Sequence, residues 1–497
     1  MPSADAPPQA APAVDESAAG PTAELEAAAD APAEDVAITV LDQTVPVSDE
    51  VLDEDGPPAE DDAMSDRELM LAEFERFKEL QRNKVYDEAE NVAKRIVELS
   101  IRVSGPRSED TAKSLTNLGV VQHQMGNYEA AQQNFEAAIE IIEDNTDQLS
   151  AALVNPLKGL GQAQLSGGRP DLASRTYERA VHITHVNEGP HNIDQVEILE
   201  ALAESNLLLG QIDEARNAQD MIYALNLRHY DTDAMEIVPS LKRRAEWQRR
   251  TGYILDERAT HRRIIRIIES VEGDDSLALI DPLMKLGESY FYIDTSDSQN
   301  FSAGNAASGE MYFKRAVRIA EENPEADWTF QANTHIALGD YYNFRNDIGR
   351  ARKAYREAWD LLSAGEHPER LEARRTALES VTVLNPEPIP IYAGNATRAD
   401  RVNQNEQLRE GRIVFSYNVS DRGRVSNLMV VEMAPQEYDD MERAAQRELR
   451  TRIFRPRFEV VDGDVEAVDT PDQIYTHTFY YLQDELDEKR EEEADKS

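Results

Sequence analysis

Cysteine is missing from this 497-residue chain. Without cysteine the protein can form no disulfide, and it has no thiolate to act as a nucleophile or as a metal ligand. A cysteine-free chain suits an oxidising compartment, but cysteine usage alone does not identify the compartment.

Positive charge is also scarce. The chain has 52 Lys and Arg against 96 Asp and Glu, which gives a formal net charge of −44. So acidic a surface repels phosphate backbones and anionic lipid headgroups, which argues against broad nucleic-acid or membrane-surface binding. Residues 1–64 contain no Lys or Arg at all.

No stretch approaches the ~20 consecutive apolar residues that a membrane-spanning helix needs, so no span is predicted. Residues 1–5 read Met-Pro-Ser-Ala-Asp and lack the basic start and apolar core of a secretory signal. Two interpretations stay open: a cytosolic protein, or a protein whose native start differs from the one given.

What the chain does have is an internal repeat of 42 residues. Small residues recur at this interval, with one step of 52 residues and one Glu, at Ala89, Ala131, Ala173, Ala215, Glu257, Gly309 and Ala351. In four of the units an aromatic residue stands four positions later, and in six a small residue stands twelve positions earlier, or twenty-two in the lengthened unit. These residues allow two antiparallel helices to pack closely. The pattern predicts a solenoid of about seven helical hairpins over residues 65–383. The sixth hairpin carries a ten-residue insertion, roughly 297–306, that we expect to form a loop.

This pattern resembles the tetratricopeptide repeat (TPR) in the 42-residue variant found in kinesin light chains. The second unit shows it in full, with Leu115 to Gly119 in the first helix, Gly126 at the turn and Ala131 in the second helix. The resemblance implies a mainly α fold and leaves the ligand open.

The regions around the solenoid differ in composition. Residues 1–64 are rich in Ala, Pro and acidic residues and are predicted to be a disordered tail, within which the apolar run 36–41 could become a strand or a docking peptide. Residues 384–392 include three prolines in five positions and are predicted to be a stiff linker. Residues 484–497 form a second acidic tail.

Residues 393–483 are predicted to form a small α+β domain of ββαβ order. From Gly411 the apolar period changes from 3.6 to 2, and the segment around Gly423 reads as a hairpin turn. A helix is predicted from Tyr438 to Arg452, and a final strand from Ile474 to Leu482.

Particular residues in this region look like the C-terminal domain of the TonB family of energy transducers. They include Gly411, Arg412, Asp421, Gly423, Ala444, Phe454, Arg455, Pro456 and Gly463. The resemblance implies a periplasmic or envelope-associated domain that captures a peptide by strand addition. The partner would be an outer-membrane TonB-dependent transporter or an inner-membrane motor component. The candidate edge residues are Ile474, Thr476, Thr478 and Tyr480.

A second candidate surface is basic. Nine Lys and Arg stand between positions 242 and 266, opposed by three acidic residues. In the repeat register, first helices line the inner groove, and related grooves bind peptides through basic residues and asparagines. The candidates are Asn117, Lys158, Lys242, Arg243, Arg249 and Lys285. Guanidinium groups suit carboxylates. The alternative is that these cations pair within the chain or hold its own acidic tail.

Patterns of catalysis are not found. The sequence has no phosphate-binding glycine loop, dinucleotide fingerprint or nucleophile elbow. His182 and His185 lie three residues apart, but two ligands do not make a metal site. No catalytic residue, metal or cofactor is therefore predicted.

Taken together, these features predict a non-enzymatic protein–protein interaction adaptor of the bacterial envelope, without nucleic-acid binding and with homo-oligomerisation left open. The groove would bind one partner and the C-terminal domain another, in or beside TonB-dependent transport. The alternative is a structural scaffold whose C-terminal domain only caps the solenoid. An enzyme with an unrecognised site is a third interpretation.

Overall fold

The computed structural model describes residues 65–292, 309–384 and 408–483, together with residues 486, 487, 489 and 490. The acidic segment 1–64 and the insertion 297–306 lie outside the described residues. So do the linker 384–392, apart from Leu384, and most of the acidic end 484–497. What the sequence predicts for these segments stays a prediction.

Seven consecutive helical hairpins make up the larger part of the described chain, and each packs on the next. Their helices are α1 (Asp66–Arg82) and α2 (Tyr86–Ser104), α3 (Glu109–Gln124) and α4 (Tyr128–Asn145), α5 (Val154–Ser166) and α6 (Pro170–Glu188), α7 (Gln195–Leu208) and α8 (Ile212–His229), α9 (Val238–Arg250) and α10 (Ile254–Glu272), α11 (Ile280–Glu288) and α12 (Glu310–Glu322), and α13 (Trp328–Phe344) and α14 (Ile348–Ser363). A single helix, α15 (Pro368–Leu378), follows the last hairpin. The predicted helical solenoid is confirmed.

The close approach of the two helices in a hairpin depends on a glycine placed against an aromatic ring. A Cβ built on Gly161 would lie 2.7 Å from the ring of Tyr177, which is fully buried. The same arrangement joins Gly119 to Phe135, Gly287 to Phe313 and Gly339 to Tyr355. In the fourth and fifth hairpins, alanine replaces this glycine at Ala203 and Ala245, and the ring positions hold Gln219 and His261. From the second hairpin to the seventh, the helix glycine and the aromatic ring that packs on it are therefore either both present or both replaced.

Glu257 breaks the small-residue pattern and is nevertheless fully buried. Its carboxylate accepts a hydrogen bond from Arg249 Nε at 2.9 Å and lies 3.6 Å from His261 Nε2. A buried carboxylate is tolerated when a cation neutralises it. The fifth hairpin thus replaces an apolar contact with an internal ion pair.

The C-terminal region forms a three-stranded antiparallel sheet with a helix and a hairpin. Its elements are β1 (Thr382–Val383), β2 (Leu408–Val419), β3 (Val425–Ala434), α16 (Asp439–Thr451), β4 (Phe454–Arg455), β5 (Arg457–Val461), β6 (Asp464–Val468) and β7 (Thr470–Leu482). The sheet order is β3-β2-β7. The helix covers one face, where Leu449 and Ala445 pack with Phe415 and Ile413 in one apolar cluster.

The predicted ββαβ order needs one correction: a β5–β6 hairpin lies between α16 and β7. Its turn residues Asp462 and Gly463 both have positive φ, at 53° and 92°. Asp-Gly is a usual pair of residues at such a turn, so the signal was present in the sequence. The predicted turn at Gly423 is found, with φ of 68°.

This C-terminal region packs directly onto the end of the solenoid. Phe458 of β5 lies against Tyr355 of α14, with ring centroids 5.1 Å apart. Arg455 of β4 donates to both carboxylate oxygens of Asp340 in α13, at 2.8 and 2.6 Å. Asn343 donates to the carbonyl of Phe454 at 2.7 Å. The two parts therefore share apolar and polar contacts.

Within the described ranges, every helix is too short or too polar to cross a bilayer.

Candidate protein-interaction surfaces

The first helices of the middle hairpins line a cavity of about 530 Å³, which we call the first-helix cavity. Its walls come from α5, the end of α6, the start of α7 and one residue of α9. The lining includes Asn155, Lys158, Thr184, Glu197, Glu200 and Arg243. Two of the six predicted groove residues, Lys158 and Arg243, therefore lie at one cavity.

Successive first helices are joined by ion pairs across this surface. Lys158 Nζ lies 2.6 Å from Glu197, and Arg243 Nε lies 2.8 Å from Glu200. Lys242 continues the series with a 2.6 Å contact to Asp281 of α11. These cations thus have carboxylate partners in the chain, the arrangement that the internal-pairing alternative describes.

Arg249 is held more tightly than its neighbours. It contacts Glu257 at 2.9 Å and Glu288 at 3.0 Å, and only a fifth of its side chain is exposed. Burial by itself would lower the pKa of Arg249, but the two carboxylates outweigh it, so the pKa lies above its ordinary value. Lys285 also contacts Glu288, at 3.1 Å. Arg249 and Lys285 therefore share one carboxylate.

The sequence interpretation missed a pair on this surface. Arg250 of α9 donates to both oxygens of Glu204 in α7, at 3.1 and 2.7 Å. Opposite charges separated by about one repeat, as in Arg243 and Glu200, are the pattern that predicts such contacts. Asn117 is buried in α3 and has a contact within the chain.

The second candidate surface is the outer edge of β7. On one side β7 pairs with β2 along nearly its whole length, with Ile474 opposite Ser416, Thr476 opposite Val414, Thr478 opposite Arg412 and Tyr480 opposite Glu410. On the other side, no strand pairs with β7 among the described residues. Ile474, Thr476 and Thr478 are exposed. The edge thus presents unpaired backbone groups to an incoming strand.

The two histidines considered for a metal do not gain further ligands. His182 is exposed and His185 is half-buried in α6. In the described part of the chain, no three His, Cys, Asp or Glu side chains come together as a metal site would need.

A scan against family models matches residues 80–144 and 299–364 to a model described as tetratricopeptide repeat. The chain contains tetratricopeptide repeats. The two matches fall on the early hairpins and on the sixth and seventh, and further helical hairpins lie between them in the chain.

Several solved structures resemble this chain at low sequence identity. Nearly identical TPR-like repeats of the kinesin-light-chain type from Podosopora anserina are 15% identical, covering 42% of this chain and 99% of that one, with a TM-score of 0.39. BtubC (BKLC) from P. vanneervenii is 14% identical, covering 62% and 95%, with a TM-score of 0.26. Aspartyl phosphate phosphatase F from Bacillus subtilis is 13% identical, covering 60% and 73%, with a TM-score of 0.36. A search of the curated proteins gives no match.

Both TPR matches end before residue 365. The likeness of residues 391–482 to the TonB C-terminal domain, and the envelope location that it implies, therefore stay predictions.

Proposed function

We propose that the protein is a non-enzymatic adaptor that binds an extended polypeptide along its first-helix surface. It binds a second polypeptide by strand addition to β7. The envelope setting, in or beside TonB-dependent transport, is supported by the sequence resemblance of residues 391–482. TPR solenoids bury their apolar faces between repeats and leave a long side-chain surface for protein partners.

The first-helix cavity is the observation that carries the proposal. It combines an apolar wall, including Ile193 and Ile198, with charges of both signs from Lys158, Glu197, Glu200 and Arg243. An extended peptide has alternating side chains and a repeating backbone of donors and acceptors. A charged side chain of such a ligand can take the place of one partner in the Arg243–Glu200 ion pair, because ion pairs as exposed as this one contribute little to stability.

The β7 edge supports the second half of the proposal. Strand addition needs a free row of N–H and C=O groups and side-chain contacts at alternate positions. Thr470–Leu482 is the longest strand described, and it is open along one side in the described sheet. Ile474 is 47% exposed and offers an apolar contact on this strand.

A second candidate function is that the C-terminal region caps the solenoid. Terminal repeats need a cover for their apolar face. Phe458 and Ala467 belong to the same apolar cluster as Tyr355 and Trp359 of the last hairpin. Capping and docking are compatible, because capping uses β4, β5 and β6, whereas docking uses β7.

A charge swap tests the first-helix surface without removing its internal ion pair. Arg243 and Glu200 form an ion pair at 2.8 Å. The double variant Arg243→Glu/Glu200→Arg keeps one positive and one negative charge at these two positions but exchanges which position carries which. Full-length wild type and variant would each be incubated with envelope extract, after a photo-crosslinking amino acid has been placed at Asn155. We expect one or more proteins to crosslink to the wild type and to be lost from the variant. Identical crosslinking patterns would contradict a ligand that contacts this surface.

The β7 edge needs its own test, because either half of the proposal can hold alone. Photo-crosslinking residues would be placed at Thr476 and, as a control on the opposite edge strand, at Met429 of β3 in the full-length chain. Strand addition predicts crosslinks from Thr476 to a partner segment and none to that segment from Met429. Equal crosslinking from both positions would contradict it.

A further inference from the structure

The second helices form a separate, basic crevice on the other side of the hairpins. Its volume is about 560 Å³, and it lies between α10, α11 and α12. Its floor is apolar, made by Ile265, Leu283 and Leu286. Arg262, Arg266, Arg315 and Tyr312 stand around it. We call it the second-helix crevice.

Two of these arginines, Arg262 and Arg266, are less tightly held than the other cations of the basic run. Lys242, Arg243, Arg244, Arg249 and Arg250 all pair with carboxylates of the chain. Arg262 and Arg266 are exposed and have no ion pair among the described residues. Arg262 contacts the hydroxyl of Tyr290, at 3.5 Å, and that of Tyr312, and both groups are neutral. Ion pairs account for the run up to position 250, and hydrogen bonds to Ser289, Tyr223 and Thr232 hold Arg258 and Arg263. The charges of Arg262 and Arg266 are left without a carboxylate partner in the described chain.

An equivalent crevice three repeats earlier shows that the arginines are not required by the fold. It lies between α4, α5 and α6, and its volume is about 400 Å³. The apolar residues of the two crevices occupy equivalent positions of the repeat. Leu157 and Leu160 of the earlier crevice precede Leu283 and Leu286 of the later one by 126 residues, which is three 42-residue steps.

The charges at the mouth are reversed between the two crevices. Glu136 and Glu140 occupy the positions of Arg262 and Arg266. A neighbouring ion pair is common to both, Arg179 with Glu143 in one and Arg315 with Glu269 in the other. The architecture is therefore the same, and the charge at positions 136 and 140 is opposite in sign to that at 262 and 266. The linings also differ at Thr176, which Tyr312 replaces.

We propose that the second-helix crevice binds residues 34–42 of the same chain, as an internal ligand. This segment reads Glu-Asp-Val-Ala-Ile-Thr-Val-Leu-Asp, which places apolar residues between carboxylates. The apolar side chains match the floor, and the flanking carboxylates match two guanidinium groups with fork-shaped donors. Residues 1–64 contain no Lys or Arg that would be repelled.

The segment is long enough to reach the crevice. Thr39 lies 26 positions before Ser65, where α1 is capped. A chain of that length spans up to about 85 Å at 3.3 Å per residue. The hairpin of α10 lies four repeat steps from that of α2, roughly 40 Å at about 10 Å per packed layer. Tethering also makes the binding intramolecular, which raises the effective concentration of the segment.

Because the chain lacks cysteine, pairs of introduced cysteines report this contact in the full-length protein. The test pair is Thr39→Cys/Met311→Cys, since Met311 is exposed beside Tyr312 at the crevice. The control pair is Thr39→Cys/Arg175→Cys, which places the second thiol at the same register position of the acidic crevice. We expect intramolecular disulfide formation to be about tenfold faster in the test pair, as two exposed ion pairs and an apolar contact would give.

Charge reversal supplies the decisive comparison. The substitutions Arg262→Glu/Arg266→Glu, added to the test pair, introduce the charges that the other crevice carries at these positions, so we expect the variant to fold. They should slow disulfide formation in the test pair to the rate of the control pair. Equal rates for the two pairs would overturn the proposal. So would a rate that the reversal leaves unchanged, or disulfides formed only between two copies. The adaptor function proposed above uses the first helices and β7 and does not depend on this result.

Discussion

Individual glycines determine how closely the hairpin helices pack. Gly119, Gly161, Gly287 and Gly339 each lie beneath a ring of the paired helix, at distances that leave no room for a methyl group. Glycine in a helix costs roughly 0.5–1 kcal/mol relative to alanine. Its use at these four positions indicates that ring packing contributes more than helix propensity does.

Replacing Gly161 by alanine should therefore destabilise the protein although alanine favours helix. A Cβ at 2.7 Å from Tyr177 forces the ring or the helix to move, and overpacking costs about 1–3 kcal/mol. We expect a net loss of about 1–2 kcal/mol in the free energy of unfolding, measured by urea denaturation with circular dichroism.

The matched control is Gly349→Ala in α14. Nothing lies within 4 Å of a Cβ at that position, so this variant should be neutral or more stable by up to about 1 kcal/mol. Similar effects from the two substitutions would show that the ring contact is not what selects glycine.

At the scale of elements, polar caps start several helices. Asp327 caps α13, and its carboxylate accepts from the backbone N–H groups of Thr329 at 2.9 Å and Phe330 at 3.2 Å. The hydroxyl of Thr329 and these backbone donors lower the pKa of Asp327 below its ordinary value of 3.8. A lowered pKa in the folded state means that the carboxylate stabilises the fold while it is ionised.

Asp327→Ala should cost about 1 kcal/mol at neutral pH, the usual value of an N-cap. The deficit is fully present above the unfolded-state pKa and should shrink as the pH falls through the lower, folded-state pKa, because the wild-type carboxylate then becomes protonated. Denaturation midpoints of wild type and variant between pH 7 and pH 3 measure this.

Asp327→Asn separates capping from charge. An asparagine caps about as well as an aspartate but does not titrate, so its stability relative to Asp327→Ala should not vary with pH. A deficit in Asp327→Ala that stays constant down to pH 3 would contradict the role of the ionised carboxylate.

For the molecule as a whole, one buried ion pair joins the sheet region to the solenoid. Arg455 and Asp340 are mostly buried, and Tyr355 donates to the same carboxylate at 2.8 Å. Burial acts against the charge on Arg455, but Asp340 and then Tyr355 raise its pKa above the ordinary value. The pKa of Tyr355 is raised as well, first by burial and then by Asp340. The group is thus a charged pair with a neutral tyrosine.

Asp340→Ala should destabilise the contact between the two regions by about 3–5 kcal/mol, because it leaves the Arg455 charge buried without its carboxylate partner. Thermal unfolding and limited proteolysis of the full chain measure the effect. Asp340→Leu/Arg455→Met removes both charges and should recover most of the loss.

Arg352→Ala is the control for this interface. It removes an exposed pair with Asp421 and should cost less than about 1 kcal/mol. If Asp340→Ala and Arg352→Ala were equally mild, the Arg455–Asp340 pair would not be what holds the regions together.

The helical hairpins could be predicted from sequence because their signal is local and repeated. Ala131 and Phe135 stand four positions apart in one helix, and the same offset recurs at 42-residue steps. The β5–β6 hairpin was not predicted, because its strands are only five residues long and give too short an alternating pattern around Asp462 and Gly463.

The sequence by itself determined the repeat, the helix pairs and the acidic character of the chain, since periodicity and charge are properties of residue order. Only the tertiary structure decided which cations are available. Lys242 and Arg262 look alike in the sequence, but Lys242 faces Asp281 of the next first helix, whereas no described carboxylate pairs with Arg262. The reason is geometric: ion pairs between helices depend on how the repeats stack, and residues 39 to 46 positions apart meet only after they do.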